Sequence, residues 1–217
     1  MTVLRKDPLL AGSLRYNRLT EKIDVTKILW WNKEPCVLTN KGRKALRYFF
    51  EKYYGLFNEG VMDDALDLEA YSKEYHPICE YLETLEWDGK ERIRNVLKVY
   101  MGAEDSDLVY EMLKHFMMGA LNRIYCPGCK FDEMLCLVGQ QGAGKSTFFR
   151  FLALDDQWFS DSLKNLNMEK PYELLRGHWI LEMSEMTAAI SAKSIEETKS
   201  FLSRICLLYT SPSPRDR

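Results

Sequence analysis

No apolar run in the chain approaches the ~20 residues that cross a bilayer. The first ten residues, MTVLRKDPLL, lack the apolar stretch of a secretory signal, so neither a membrane anchor nor an export leader is expected. Charge of one sign is not in surplus either. Thirty Lys and Arg face 32 Asp and Glu, a net charge of -2. No global basic field advertises nucleic acid, and any such binding must use a local patch. Histidine is scarce: only His76, His115 and His178 occur, all far in sequence from Cys126-Pro-Gly-Cys129. A second C-x-x-C is missing too, so this half of a zinc site reads as a plain turn. The six cysteines (Cys36, Cys79, Cys126, Cys129, Cys136 and Cys206) are dispersed. That argues against a disulfide framework and for a reducing, cytoplasmic setting. What is present suits a globular protein: 46% hydrophobic and 29% charged residues, in 217 residues that allow one large domain or two small ones.

The strongest local signal is Met134 to Thr147, MLCLVGQQGAGKST. A short apolar run, Met134 to Val138, predicts a buried strand. Gly139-Gln140-Gln141-Gly142-Ala143-Gly144-Lys145-Ser146 then fits G-x-x-x-x-G-K-[ST] at every fixed position. Such a loop must curl around a phosphate between a strand and a helix. Glycines permit positive φ and let backbone N–H groups approach the anion. The helix that follows, Ser146 to Leu154, points its N-terminal dipole at the same charge. Lys145 would reach the β- and γ-phosphates of ATP, and the Ser146 hydroxyl, followed by Thr147, would meet Mg²⁺.

Upstream, Leu14 to Val25 reads as a hairpin, and Trp30 and Trp31 as core anchors with a binding role as the alternative. Asn40 can cap a helix to Tyr54 that Gly55 stops, with Ala45, Leu46, Phe49, Phe50 and Tyr53 as its buried stripe. Lys41, Arg43, Lys44 and Arg47 lie on the same helix, as a solvated face or a phosphate-contacting one. A second helix carries Met62, Ala65, Leu66 and Ala70. Pro77 suits the first position of a third, beside a structural His76. Ile93, Val96, Leu97 and Tyr100 mark a fourth. Asp105 or Ser106 caps a fifth through Tyr125, apolar enough to be buried on more than one side. Residues 36 to 125 thus read as one helical unit.

After the glycine-rich loop, Trp158 to Asp161 suggests a short strand and Lys170 to Arg176 a helix. Trp179 to Glu185 (WILEMSE) is an apolar strand ending in carboxylates. Beside a phosphate loop, one carboxylate can hold Mg²⁺ and another can activate the attacking water. Ser194-Ile195-Glu196-Glu197 is a capping box.

Several stretches together resemble the virulence-associated E (VapE-like) family, predicted P-loop ATPases of phages and mobile elements. They are residues 75–93, 127–153, 158–163, 173–186 and 199–204. The resemblance implies a DNA helicase of the superfamily 3 or primase-helicase kind, working as a ring with ATP between subunits. It also implies that Gly139, Gly144, Lys145 and Ser146 bind nucleotide and Mg²⁺, and that Glu182 and Glu185 are the acidic pair. Here the second acid stands three positions on, where the family pattern has adjacent Asp and Glu. We expect Glu182 at the metal and Glu185 at the water. The expected fold is α/β, superfamily 3 or AAA+-like. A helical region, 1–125, precedes a partial P-loop domain with a parallel sheet, 126–204. Single-stranded DNA is the expected partner. No arginine finger or sensor follows Arg204, and CLLYTSPSPRDR fits no core element. We therefore expect a truncated domain with a non-native tail over 205–217. Two other functions fit the loop: a small-molecule kinase, without the arginine-rich lid it would need, and a nucleotide-switched binding module without turnover.

Overall fold

The computed structural model describes residues 1–131, 133–162 and 175–183, and the structural statements below concern these. They form a mixed α/β molecule in two compact units, Met1–Thr84 and a second that begins at Leu85. The division falls at 84/85, inside the stretch that the sequence groups as one helical unit. Its cause is packing: the helices between 85 and 125 share their core with the helix after the glycine-rich loop.

In the first unit, α1 (Thr2–Lys6) precedes an antiparallel hairpin of β1 (Leu14–Asn17) and β2 (Lys22–Val25), with β3 (Cys36–Val37) beyond β2. Asn17 makes the hairpin turn. Its Oδ1 accepts from the N–H of Leu19 (3.0 Å) and Thr20 (3.2 Å), and its Nδ2 donates to Asp24 (2.9 Å). A short polar side chain that bonds the backbone two residues on substitutes for a turn hydrogen bond. Leu14, Ile23 and Val25 face a core completed by Leu46 and Phe50 of α2 (Asn40–Tyr54) and by Met62, Leu66 and Ala70 of α3 (Glu59–Tyr71). The last helix of this unit, α4 (Pro77–Glu83), has Pro77 at its first position. The His76 Nδ1 accepts from Cys79 N–H at 3.4 Å as its cap.

Three expectations for α2 need correction. Thr39 caps it, accepting from Gly42 N–H, and Asn40 is its first helical residue. Both types cap well. Packing separates them, because Gly42 lies so close to Trp31 and Leu38 that a Cβ would sit 2.9 Å from Leu38 Cδ1. Tyr53 is exposed rather than part of the buried stripe, and Trp30 stacks on Phe49 (4.7 Å between centroids) at the surface instead of in the core. Trp31 alone packs against the core. Arg43 and Arg47 form neither a solvated nor a phosphate-contacting face. Arg43 pairs with Asp63 (3.2 Å) and Asp67 (2.6 Å), and Arg47 with Asp63 (2.6 Å) and Glu59, all on α3.

The second unit begins with α5 (Ile93–Met101) and α6 (Asp107–Tyr125), the latter capped by Ser106, which accepts from Val109 N–H at 3.3 Å. Leu97 and Leu113 meet Phe148 of α7 (Lys145–Leu152) in a common core. Among the described residues α6 is buried on one side only. Leu113, Gly119, Ala120 and Ile124 are covered, while Leu108, Met112 and Met118 stand exposed. Gly119 receives the Phe131 ring at a distance where a Cβ would be 2.1 Å from Cζ, and Arg123 donates to the Phe131 carbonyl (2.8 Å). These contacts tether the turn that starts at Cys126, where Cys129 N–H bonds the Cys126 carbonyl at 3.0 Å.

Met134 to Val138 does not form the expected buried strand. Leu135 and Leu137 face the core, but no described strand pairs with the segment and Val138 is 95% exposed. An apolar run makes a strand only when a neighbour supplies the ladder. β4 (Phe159–Ser160) and β5 (Ile180–Leu181) do pair, in parallel, and pack Phe159 and Ile180 on Ala153. Of the expected helix at 170–176, Leu175 and Arg176 lie in a turn and the rest lies outside the described residues. Glu185, the capping box at 194–197 and residues 205–217 also lie outside them.

Candidate nucleotide-binding site

The glycine-rich loop joins the extended segment to α7, and its backbone explains its glycines. Gly142 and Gly144 have φ of 82° and 77°, in the left-handed region that other residues enter at a cost. No atom of a described residue lies within 4 Å of a Cβ built at Gly139, Gly142 or Gly144. Conformation, and not crowding, therefore selects glycine at 142 and 144. Gly144 is also the N-cap of α7, and no side chain caps that end. The first-turn N–H groups of a helix have no intrahelical acceptor. Within the loop, Ala143 N–H bonds Gln140 (3.3 Å), whereas Gln141, Gly142 and Gly144 donate no backbone hydrogen bond to any described residue. Donors without acceptors, one helix dipole and one ammonium thus converge on a single loop, an arrangement suited to an anion.

The ammonium is that of Lys145. Its Nζ donates to the carbonyls of Gly139 (3.0 Å) and Gln140 (2.7 Å), holding the loop closed on itself. An incoming phosphate would compete with these two carbonyls. The side chain needs only to rotate about its own bonds to make the exchange.

Ser146 faces the other way, toward the parallel pair. Its hydroxyl donates to Glu182 Oε1 at 2.6 Å. Glu182 directly follows β5, and its N–H bonds the Ser160 carbonyl at 2.8 Å, continuing the ladder with β4. Trp179, at the start of the same segment, is pinned by its N–H to the Trp158 carbonyl (2.7 Å) and by its indole Nε1 to the Ala120 carbonyl of α6 (3.0 Å). The carboxylate is thus placed by main-chain pairing and a tryptophan anchor, 36 residues along the chain from the hydroxyl it meets. Glu182 Oε2 is buried and has no hydrogen-bond partner among the described residues.

A hydroxyl oxygen beside a carboxylate with one unsatisfied buried oxygen is a hard, oxygen-only donor set. It fits Mg²⁺, which takes one or two protein oxygens and keeps the rest of its shell for water and phosphate. Ser146 and Glu182 would hold the ion. Of the expected site residues, the structure joins Gly139, Gln140 and Lys145 in one cluster and Ser146 and Glu182 in another. Thr147 lies apart from both, lining a hollow beside α7 with Arg150, Phe151, Leu154, Asp155 and Asp156. Sequence reading did not find the roles of Ser160, Trp179 and Ala120. A carbonyl acceptor carries no residue-type signature, so nothing in the sequence could have marked Ser160 or Ala120.

The model of the virulence-associated protein E-like domain matches residues 82–215, more than half of the chain. No curated protein matches it.

Proposed function

Because the chain belongs to the virulence-associated protein E-like family, whose setting is phages and mobile elements, we propose that it is the ATP-binding part of a replication motor. In this reading the second unit is a P-loop domain of the superfamily 3 helicase kind, acting as a ring on single-stranded DNA. The observation that carries the reading is the 2.6 Å hydrogen bond between Ser146 and Glu182. It brings the last fixed position of the phosphate-loop motif to a carboxylate at the end of a parallel strand.

The roles follow from the atoms. N–H groups of the loop and the start of α7 bind the β- and γ-phosphate oxygens. Lys145 leaves its two carbonyl partners to neutralise the same oxygens. Ser146 and Glu182 would hold Mg²⁺, which would supply positive charge beside the phosphate oxygens. Glu185 accepts the proton of the attacking water. Five described cysteines are free thiols and no described helix is long and apolar enough to cross a membrane. Work in the cytoplasm agrees with both.

The test is calorimetric titration of Mg·ATP into the wild-type chain and Lys145→Ala, with and without single-stranded DNA. Binding that disappears in Lys145→Ala is expected. DNA that tightens ATP binding would mark the coupling a motor needs. A folded wild-type chain that binds no ATP overturns the reading. Transfer of phosphate to a small acceptor, without DNA stimulation, would replace it with a kinase.

A further inference from the structure

The helix α2 presents two kinds of basic residue. Arg43 and Arg47 are consumed by the acids of α3. Lys41, Lys44 and Lys52 are exposed and pair with no carboxylate among the described residues. With Tyr48 they recur at positions three, four and four apart, which puts them on one face of a helix. The stripe from Lys41 to Lys52 is roughly 16 Å long at the α-helical rise.

Two rings, Tyr48 on this face and Tyr53 on its flank, are laid bare. Tyr48 is 61% and Tyr53 63% exposed. Lys52 Nζ lies 5.6 Å and 5.2 Å from their centroids. Along the flank, Trp30 is 48% exposed and rests on Phe49, whose ring also lies 4.9 Å from Tyr53. None of the three rings is buried, and this much exposed aromatic surface beside the exposed ammonium groups of Lys41 and Lys44 is unlike an ordinary solvated face.

We propose that this face of α2 binds single-stranded DNA, with bases stacked on Tyr48, Tyr53 and Trp30 and phosphates on Lys41, Lys44 and Lys52. Flat rings accept any base, and ammonium groups accept any phosphate, so the site would be tolerant of sequence. A duplex hides the faces of its bases and could use only the lysines. A 2′-hydroxyl can accept from an ammonium and donate to a tyrosine hydroxyl, so the choice of DNA over RNA rests on the proposed function and not on this face. An acidic protein could cover the same lysines and rings, and a face that binds no oligothymidine would point to it. The inference is independent of the nucleotide site. It uses residues of the first unit only.

The experiment is fluorescence anisotropy of the full chain, without nucleotide, on a labelled oligothymidine, an oligouridine of equal length and a duplex. Three phosphate contacts give a slope of about -2 in log K against log salt, or about 20-fold weaker binding from 50 to 200 mM salt. Lys41→Glu with Lys44→Glu should abolish binding, and Lys90→Glu, on an exposed residue of the second unit, should not. Tyr48→Ala should weaken binding about tenfold or more, while Tyr48→Phe keeps the ring and the affinity. Equal binding of duplex, tighter binding of the RNA strand, indifference to the α2 substitutions, or no binding at all would each overturn the proposal. Circular dichroism of each variant guards against loss of fold.

Discussion

Ser146 and Glu182 make one hydrogen bond between groups 36 residues apart, and a double-mutant cycle can weigh it. In Ser146→Ala, Glu182 loses the partner of Oε1 while Oε2 is already buried without one. A hydrogen bond to a charged group contributes about 1.5–3 kcal/mol. The carboxylate is only part-buried and recovers some water, so about 1.5 kcal/mol of destabilisation is expected. Glu182→Gln keeps an acceptor for the hydroxyl but removes the charge. Its effect on stability should be smaller, and its effect on Mg²⁺ larger. The assay has two readouts. Urea unfolding of the four proteins should show a coupling of about 1 kcal/mol between the sites, outside the roughly 0.3–0.5 kcal/mol scatter of independent ones. Calorimetric ATP titration across a Mg²⁺ series should then place the Mg²⁺ midpoint of Glu182→Gln about 10- to 100-fold higher, the loss typical when a group around a metal is replaced. Additive unfolding energies would show that the contact has no energetic weight. An unchanged Mg²⁺ midpoint in a folded Glu182→Gln would remove the metal from this pair.

The other predictions concern stability. Glu69 is buried on α3 and pairs with Arg5 (2.7 Å) and Lys73 (2.6 Å). Burial raises its pKa, but bonds from Lys73 and Arg5 outweigh it and hold the carboxyl below its usual value. Its contribution is therefore present above about pH 4.5 and is lost as pH falls through the folded value. Glu69→Gln should cost about 1–2 kcal/mol at pH 7, less than a fully buried pair because both cations return to water, and should flatten the acid limb of a urea titration. His76 is lowered to about 4 by burial and by the charge of Arg18. It is neutral in both states above the ordinary value of 6.5, so that stability is complete there and declines between 6.5 and about 4. After allowance for its partial exposure the loss is about 2 kcal/mol, and His76→Asn, which keeps a cap acceptor, should remove this pH dependence. Gly119→Ala forces a methyl into the Phe131 ring and should lower stability by about 1–3 kcal/mol in thermal unfolding. Gly119→Ala combined with Phe131→Leu should recover part of that loss.

Much of the chain was legible in its residues because the signals are local. The hairpin at 14–25, the helix that Gly55 stops, the Pro77 start and the Ser106 cap all follow from backbone chemistry within a turn or two. So do the positive φ values at Gly142 and Gly144, which the tight turn of the glycine-rich loop adopts. The types Lys145, Ser146 and Glu182 could be named for the same reason: their chemistry belongs to the side chain. Tertiary packing decided the rest. Arg43 and Arg47 were drawn from Lys41 and Lys44 by acids on another helix. Trp30 and Tyr53 were left at the surface because Leu46 and Phe50 fill the core. Among the described residues Val138 has no ladder partner although its run is apolar. Which hydroxyl meets which carboxylate was set by the parallel pairing of Ser160 with Leu181, a long-range contact with no mark in the sequence of either strand. Local propensity specifies elements and chemical types, whereas burial and pairing between distant segments choose which of them face each other.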